Sequence, residues 1–179
     1  ALRDVSVGIY NANGLNPRDV EKWVTENRYI KGYPHADAIT NDELLALNVD
    51  VLIPAAIDGV VTKDNVHTIK AKVIAEGANG PLTREAIEYL SEKGVFIIPD
   101  ILCNAGGVIV SYFEWVQGLQ YFFWDLDQIN KKLYEMLKFA FKEVMFVQKK
   151  HNVDMKKAAF ITALKRLQTA MRLRGMFPG

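Results

Sequence analysis

Cysteine is nearly absent. It occurs once, at Cys103, so the chain cannot close an internal disulfide, and a reducing, cytoplasmic setting is expected. Nothing near Cys103 marks it as a nucleophile, and it reads as a packing residue. Histidine is sparse as well. His35, His67 and His151 lie far apart in charged or polar surroundings, without metal-ligand spacing, and surface positions are expected for all of them. No apolar run approaches the roughly 20 residues of a membrane span, and the opening Ala1-Leu2-Arg3-Asp4 reads as the end of a buried strand rather than a signal peptide. Neither sign of charge is in excess. Lys and Arg number 22 against 21 Asp and Glu, a formal net charge of +1, so bulk charge points to neither a nucleic acid nor a membrane.

What remains is a globular balance: 179 residues, 50% hydrophobic and 24% charged, enough for one ordinary domain with a core. The first two-thirds alternate short strands with short helices. Asn16 can cap a helix begun by Pro17, with Val20, Trp23 and Val24 as its apolar stripe. Thr40-Asn41-Asp42-Glu43 reads as a capping box ahead of Leu44, Leu45 and Leu47. Apolar strands are expected over Val49–Ile53, Lys72–Ala75 and Val95–Ile98, with a helix opened by Thr83 and closed by Gly94 between the last two. Strands apolar throughout are buried on both faces, which implies a parallel sheet covered by helices on each side. The expected class is α/β, an incomplete Rossmann-like doubly wound parallel sheet followed by C-terminal helices. A strand entered without a preceding turn suggests that the sequence begins inside a larger fold.

The last third reads as helical: Asn104–Gln120 in one segment, then Asp127–Lys150 with Ile129, Leu133, Met136, Leu137, Ala140 and Val144 on its apolar side. Asp154 can cap a final helix that runs to about Arg174 and stops at Gly175.

Open parallel sheets bind ligands beyond the carboxyl ends of their strands. Asp4 ends the first expected strand, Pro54-Ala55-Ala56-Ile57 follows the second, Glu76-Gly77-Ala78-Asn79-Gly80-Pro81 the third, and Pro99-Asp100-Ile101-Leu102-Cys103-Asn104-Ala105-Gly106-Gly107 the fourth. Small side chains let a flat ligand approach the backbone, and an Asn amide supplies a donor and an acceptor. That combination suits a nicotinamide ring and its carboxamide.

In order along the chain these segments join Gly8-Ile9-Tyr10-Asn11, Ile39-Thr40-Asn41, Asp50-Val51-Leu52-Ile53-Pro54-Ala55-Ala56 and Asn104-Ala105-Gly106-Gly107-Val108-Ile109-Val110-Ser111-Tyr112-Phe113-Glu114-Trp115. Together they resemble, essentially end to end, the C-terminal nucleotide-binding portion of the hexameric bacterial and archaeal glutamate dehydrogenases, within the glutamate, leucine, phenylalanine and valine dehydrogenase superfamily. The resemblance implies oxidative deamination of L-glutamate to 2-oxoglutarate and ammonia, with hydride passing to NAD or NADP, in a cytoplasmic homo-oligomer that is a hexamer in the complete enzyme. The family's glycine-rich pyrophosphate turn and its substrate domain, with the catalytic Lys and Asp, do not occur in this sequence, so none of the catalytic residues is expected here and the chain alone is expected to be inactive. Residues 1–125 then correspond to a dinucleotide-binding domain lacking its first strand, turn and helix. Residues 126–179 correspond to C-terminal helices that pack back toward the substrate domain.

The resemblance also assigns residues. Asp4 falls where an acid bonds the adenosine ribose, against the simpler reading of a strand-end Asp in a turn; Arg3 beside it leaves NAD and NADP both open, because a cation there favours a 2′-phosphate. Ala55, Ala56 and Ile57 pack near the adenine and its ribose, or merely connect a strand to a helix. Asn79 lines the nicotinamide side. Asn104 bonds cofactor and substrate, or caps a helix N-terminus, or does both. Val108 and Ser111, three apart on one helical face, line the amino-acid pocket, Ser111 bonding the distal carboxylate; a small core residue between helices is the alternative. The aromatic run Tyr112, Phe113, Trp115, Tyr121, Phe122, Phe123 and Trp124 is expected to be partly exposed where the substrate domain would lie. Two rivals stand beside this reading: a leucine, valine or phenylalanine dehydrogenase of the same superfamily, and a non-catalytic nucleotide-binding or assembly module.

Overall fold

A computed structural model describes residues 1–175, so the last four residues of the expected 126–179 helical segment lie outside the described residues. The elements are, in order, β1 (Leu2–Arg3), β2 (Gly8–Tyr10), α1 (Pro17–Asn27), β3 (Asp37–Ile39), α2 (Asn41–Leu45), β4 (Val51–Leu52), a 3-10 turn (Val66–Thr68), β5 (Val73–Ala75), α3 (Arg84–Glu92), β6 (Phe96–Ile98), α4 (Asp100–Cys103), α5 (Gly106–Gln120), α6 (Leu126–His151) and α7 (Met155–Arg174). The class is mixed α/β, with a parallel sheet and C-terminal helices.

Two three-stranded sheets form rather than one. β4, β5 and β6 are parallel and adjacent in sequence order, with Val51 opposite Val73 and Ala75 opposite Ile98. β1, β2 and β3 pair antiparallel. The expectation that Asp4 ends a buried strand of the parallel sheet is therefore corrected. Only a short turn joins β1 to β2, closed by Asp4 N–H donating to Val7 O at 3.2 Å, and so short a connection permits antiparallel pairing alone. Ala1, Leu2 and Arg3 are all exposed.

A second correction concerns burial. β4 is the edge strand of its sheet, and although Leu52 is buried, Val51 and Ile53 are 50% and 61% exposed. Its run of apolar residues does not mark two covered faces. β6 does have both faces covered. Ile97 joins Ile74, Leu52, Val61, Leu82, Ala86 and Leu90 on one side, while Phe96 and Ile98 pack on the other with Leu102, Val144, Val147, Met155, Ala158 and Ala159. α6 and α7 therefore complete the core of the sheet rather than stand apart from it. A third, smaller core gathers Ile9, Val20, Ile30 and Tyr33 beneath the antiparallel sheet.

The helix ends follow the sequence closely. Asn16, Thr40, Thr83, Asp125 and Asp154 each accept a hydrogen bond from a first-turn amide, the most effective way to satisfy orphan donors there. α6 begins one residue before the expected Asp127, because Asp125 and Gln128 form a capping box. The expected segment Asn104–Gln120 starts two residues late, α5 running Gly106–Gln120, and a separate short helix, α4, ends just before Asn104.

Candidate functional site

β5 and β6 leave the sheet side by side, so the loop at residues 76–81 and the helix α4 meet at one edge of it. A crevice of about 710 Å³ opens there, bounded by Ala56, Ile57 and Asp58 beyond β4, by Gly77, Ala78, Asn79 and Gly80 beyond β5, and by Asn104 after α4. Backbone bonds tie the first two walls together. Gly77 and Ala78 N–H both donate to Pro54 O at 3.0 Å, and Gly59 N–H donates to Gly80 O at 2.9 Å. Gly80 has φ of +57°, a left-handed conformation that glycine takes without steric cost. At Gly77 a methyl group would stand 3.0 Å from Ala55 Cβ, so the two strand exits approach more closely than ordinary side chains permit.

Asn104 Nδ2 donates to Asn79 Oδ1 at 2.6 Å and to Gly77 O at 3.4 Å. The remaining amide groups, Asn79 Nδ2 and Asn104 Oδ1, take no protein partner among the described residues, which leaves a donor and an acceptor at the crevice. The expectation that Asn104 opens or caps the following helix is corrected: it is the C-cap of α4, its own N–H donating to Asp100 O, while Ala105 precedes α5.

Of the residues singled out from sequence, Ala56, Ile57, Asn79 and Asn104 line this crevice and Ala55 abuts Gly77 behind it. Asp4 does not line it. It lies in the β1–β2 turn, where Oδ1 accepts from Ser6 N–H at 2.7 Å, from Val7 N–H at 3.3 Å and from the Ser6 hydroxyl, and Oδ2 accepts from Ile30 N–H at 2.9 Å. Burial acts to raise its pKa, but these donors outweigh it and hold the carboxyl below its ordinary value. Arg3 reaches Asn41 instead, its guanidinium donating to Oδ1 at 2.6 Å. Val108 and Ser111 share an exposed face of α5, Val108 being 71% exposed, and neither lines the crevice.

Sequence reasoning gave no role to Glu76, Asp100 or Lys156, which lie beneath the crevice. Glu76 is completely buried; its Oε2 accepts from Asp100 N–H at 2.9 Å, and its Oε1 accepts no hydrogen bond of good geometry among the described residues. Burial pushes its carboxyl up, only partly opposed by the Asp100 amide and by Lys156. Asp100 accepts from Gly80 N–H at 2.9 Å, and the Lys156 ammonium, from the first turn of α7, stands 3.5 Å from Asp100 and 3.9 Å from Glu76. Burial works against ionisation of Asp100 too, but its bonds from Gly80 and Ile101 and the Lys156 charge bring its pKa below the ordinary value. An acid within two residues of the end of each of two adjacent parallel strands was the available signal. Lys156 carried none.

Among the described residues, no group of three His, Cys, Asp or Glu could hold a metal ion, and no helix is long and apolar enough to cross a membrane. Phe113 and Gln117 are buried, Phe113 packing edge-on against Trp124 and Gln117 accepting from Trp124 N–H. Tyr112, Trp115, Tyr121, Phe122 and Phe123 are exposed.

A family model described as Glutamate/Leucine/Phenylalanine/Valine dehydrogenase matches residues 1–175. A glutamate dehydrogenase from Thermotoga maritima is 51% identical over 178 residues, which are 99% of this chain and 43% of that protein. Among solved structures, a hetero-hexameric glutamate dehydrogenase from Thermus thermophilus, in a leucine-bound form, superposes with a TM-score of 0.86 at 32% identity, covering 97% of this chain and 41% of the other. One from Peptoniphilus asaccharolyticus gives 0.78 at 33% identity, over 94% and 37%. The chain thus spans less than half the length of these relatives.

Proposed function

Because the chain belongs to the glutamate/leucine/phenylalanine/valine dehydrogenase family, we propose that it is the nucleotide-binding part of a glutamate dehydrogenase subunit, which deaminates L-glutamate oxidatively to 2-oxoglutarate and ammonia with NAD or NADP. The observation that carries this reading is the Asn79–Asn104 amide pair at a crevice of small residues beyond three parallel strands. The site fits a nicotinamide dinucleotide: the close approach at Gly77 leaves no side chain in the way of a flat ring, and the free Asn79 donor and Asn104 acceptor complement a carboxamide. When bound, the dinucleotide supplies the hydride acceptor. Asn79 and Asn104 orient the ring, the chain segment Ala55–Ile57 lies along the adenosine side, and Val108 and Ser111 form one wall of the amino-acid pocket, with Ser111 donating to the distal carboxylate of glutamate. Asp4, engaged by Ser6, Val7 and Ile30 in the β1–β2 turn and outside the crevice, is left out of this site. Proton-transfer groups come from outside this chain. We place the dinucleotide-binding unit at residues 1–125 and the helices that pack back toward a substrate domain at 126–179, in a cytoplasmic enzyme that assembles as a hexamer.

The test is calorimetric titration of NAD and NADP into the complete polypeptide and into this chain, with glutamate-dependent dinucleotide reduction followed spectrophotometrically. Reduction is expected from the complete polypeptide and not from this chain alone. Turnover of leucine in preference to glutamate would replace glutamate with a branched-chain substrate, and Ser111→Val is expected to move the preference that way. Absence of dinucleotide binding in both would leave an assembly module.

A further inference from the structure

Two carboxylates at the exits of adjacent strands need a cation, and the one that stands between them comes from the far end of the chain. Glu76 is fully buried, and its Oε1 accepts no hydrogen bond of good geometry among the described residues. Asp100 begins α4 directly beside it, and the two share the Asp100 N–H to Glu76 Oε2 bond. Lys156 is 28% exposed and bridges both, at 3.5 Å and 3.9 Å. The remaining ionisable group that faces Glu76 is Cys103 on α4, whose thiol is pushed up by burial and by the Glu76 charge; nothing else on α4 or α7 supplies a positive charge to the pair.

We propose that Lys156 is a positioning residue for the dinucleotide crevice, acting from the last helix through Glu76 and Asp100 on Gly80, Asn79 and Asn104. This rests on the dinucleotide reading above. The connection is continuous. Lys156 holds Asp100, Asp100 Oδ2 holds the Gly80 N–H at 2.9 Å, and Asp100 O holds the Asn104 N–H at 3.0 Å. Asn104 in turn holds Asn79 at 2.6 Å. Where a substitution removes the Lys156 charge, ionisation of both acids, a hydrogen bond apart in a buried site, is repulsive. Asp100, whose side chain is 17% exposed where that of Glu76 is fully buried, has water to retreat into, and its retreat releases Gly80 and rotates the C-cap that aims Asn104. The helices at residues 126–174 are then part of the crevice's support, and movement of α7 alters the grip on the dinucleotide without touching it.

The experiment compares wild type with Lys156→Met, Lys156→Arg and Glu76→Gln/Lys156→Met in the complete polypeptide, by KM for NAD across pH. Lys156→Met is expected to raise KM about fivefold, mid-range for a residue that acts without touching the ligand. The defect should grow as pH rises through the native pKa of Glu76, which burial raises and which loss of the Lys156 charge raises further. Arginine should restore KM because it returns the charge. The double variant should restore it because a neutral amide no longer needs one. A purely structural loss of helix packing lowers kcat and thermal midpoint together, without pH dependence and without rescue by Glu76→Gln; that pattern overturns the proposal, as does an unchanged KM throughout. Hydrogen exchange of the Gly80 amide on the same variants involves no dinucleotide. Faster exchange in Lys156→Met alone supports the connection even if wild type fails to bind NAD, and unchanged exchange overturns it.

Discussion

The antiparallel and parallel halves of this chain both place an acid at a strand exit, and they use it in opposite ways. In the β1–β2 turn the Asp4 carboxylate takes donors from Ser6, Val7 and Ile30, and the turn is closed on itself. At the exits of β5 and β6, Glu76 keeps an oxygen without a hydrogen bond of good geometry among the described residues, and the amides of Asn79 and Asn104 satisfy one another only in part. The closed turn gains local stability. At the open edge part of the hydrogen-bonding capacity of Asn79 and Asn104 goes unused, which under the proposed reading serves a ligand. Stability and binding capacity are thus separated between the two sheets, and substitutions in each should fail in different ways.

The largest expected effect lies in the parallel half. Ile74 is completely buried on β5 among eleven buried residues, while Ile9 lies on β2 in a cluster of four. Ile74→Ala should cost about 2–5 kcal/mol, towards the upper end because it lies fully buried within the larger cluster, and Ile9→Ala should fall near the lower end of that range. Denaturant midpoints of the complete polypeptide measure both, and equal losses would erase the distinction between the cores.

Glycine substitution separates the halves more sharply at smaller cost. A methyl at Gly8 would stand 2.8 Å from the Ile39 carbonyl, in the paired strand. That backbone cannot yield without breaking register, so Gly8→Ala should destabilise by about 1–3 kcal/mol with the dinucleotide KM unchanged. At Gly77 the nearest atom is the Ala55 methyl, at 3.0 Å in an exposed loop. Gly77→Ala should cost about 1 kcal/mol or less and raise the KM instead. Steady-state kinetics beside thermal melts would read the contrast, and a KM defect at Gly8 would break it.

The two acids should also give pH dependences of opposite sign. Asp4 is held below its ordinary value of 3.8, so its contribution is present above that pH and disappears as pH falls through the native pKa. Glu76 is pushed above its ordinary value of 4.5. Its contribution is complete below 4.5 and is lost as pH rises through the native pKa, because the unfolded chain gives up the proton more readily. Asp4→Asn should flatten the acid limb of the stability profile, and Glu76→Gln the limb above it. The same limb flattened by both variants would contradict the assignment.

How much of this was legible follows from the range of the forces concerned. The caps at Asn16, Thr40, Thr83 and Asp154 and the strands β5 and β6 were readable because each depends on residues within one turn or one strand. The strands Gly8–Tyr10 and Asp37–Ile39 are no shorter than β5 and β6 but lack their apolar run, Asp37 being charged and exposed and Gly8 without a side chain, so the antiparallel sheet was missed and Asp4 was assigned to the wrong one. Burial of Val51 and Ile53 was misjudged because an apolar strand reads alike at the edge and in the middle of a sheet. In the crevice, the small residues and both Asn side chains were legible from their positions after strands. Lys156 was not, since it reaches Asp100 from 56 positions away along the sequence (156 minus 100) and only the packing of α7 on β6 brings it there.

The smallest effect sharpens the same comparison from the surface. Lys72 and Asp50 make a 2.7 Å ion pair across the start of the parallel sheet, shorter than either contact of Lys156, yet their side chains are 79% and 82% exposed. Hydrogen bonding and the Asp50 charge raise the Lys72 pKa, so any contribution is present below 10.5 and fades as pH rises through the native value. Water screens both partners, and ordering two mobile side chains cancels much of the attraction. Lys72→Met should therefore leave the denaturation midpoint and the KM for NAD where they are, at low and at high salt. A clear loss of stability that salt suppresses would show that charge at the rim of this sheet matters as much as charge beneath the crevice, and the separation of roles between exposed and buried pairs would fall.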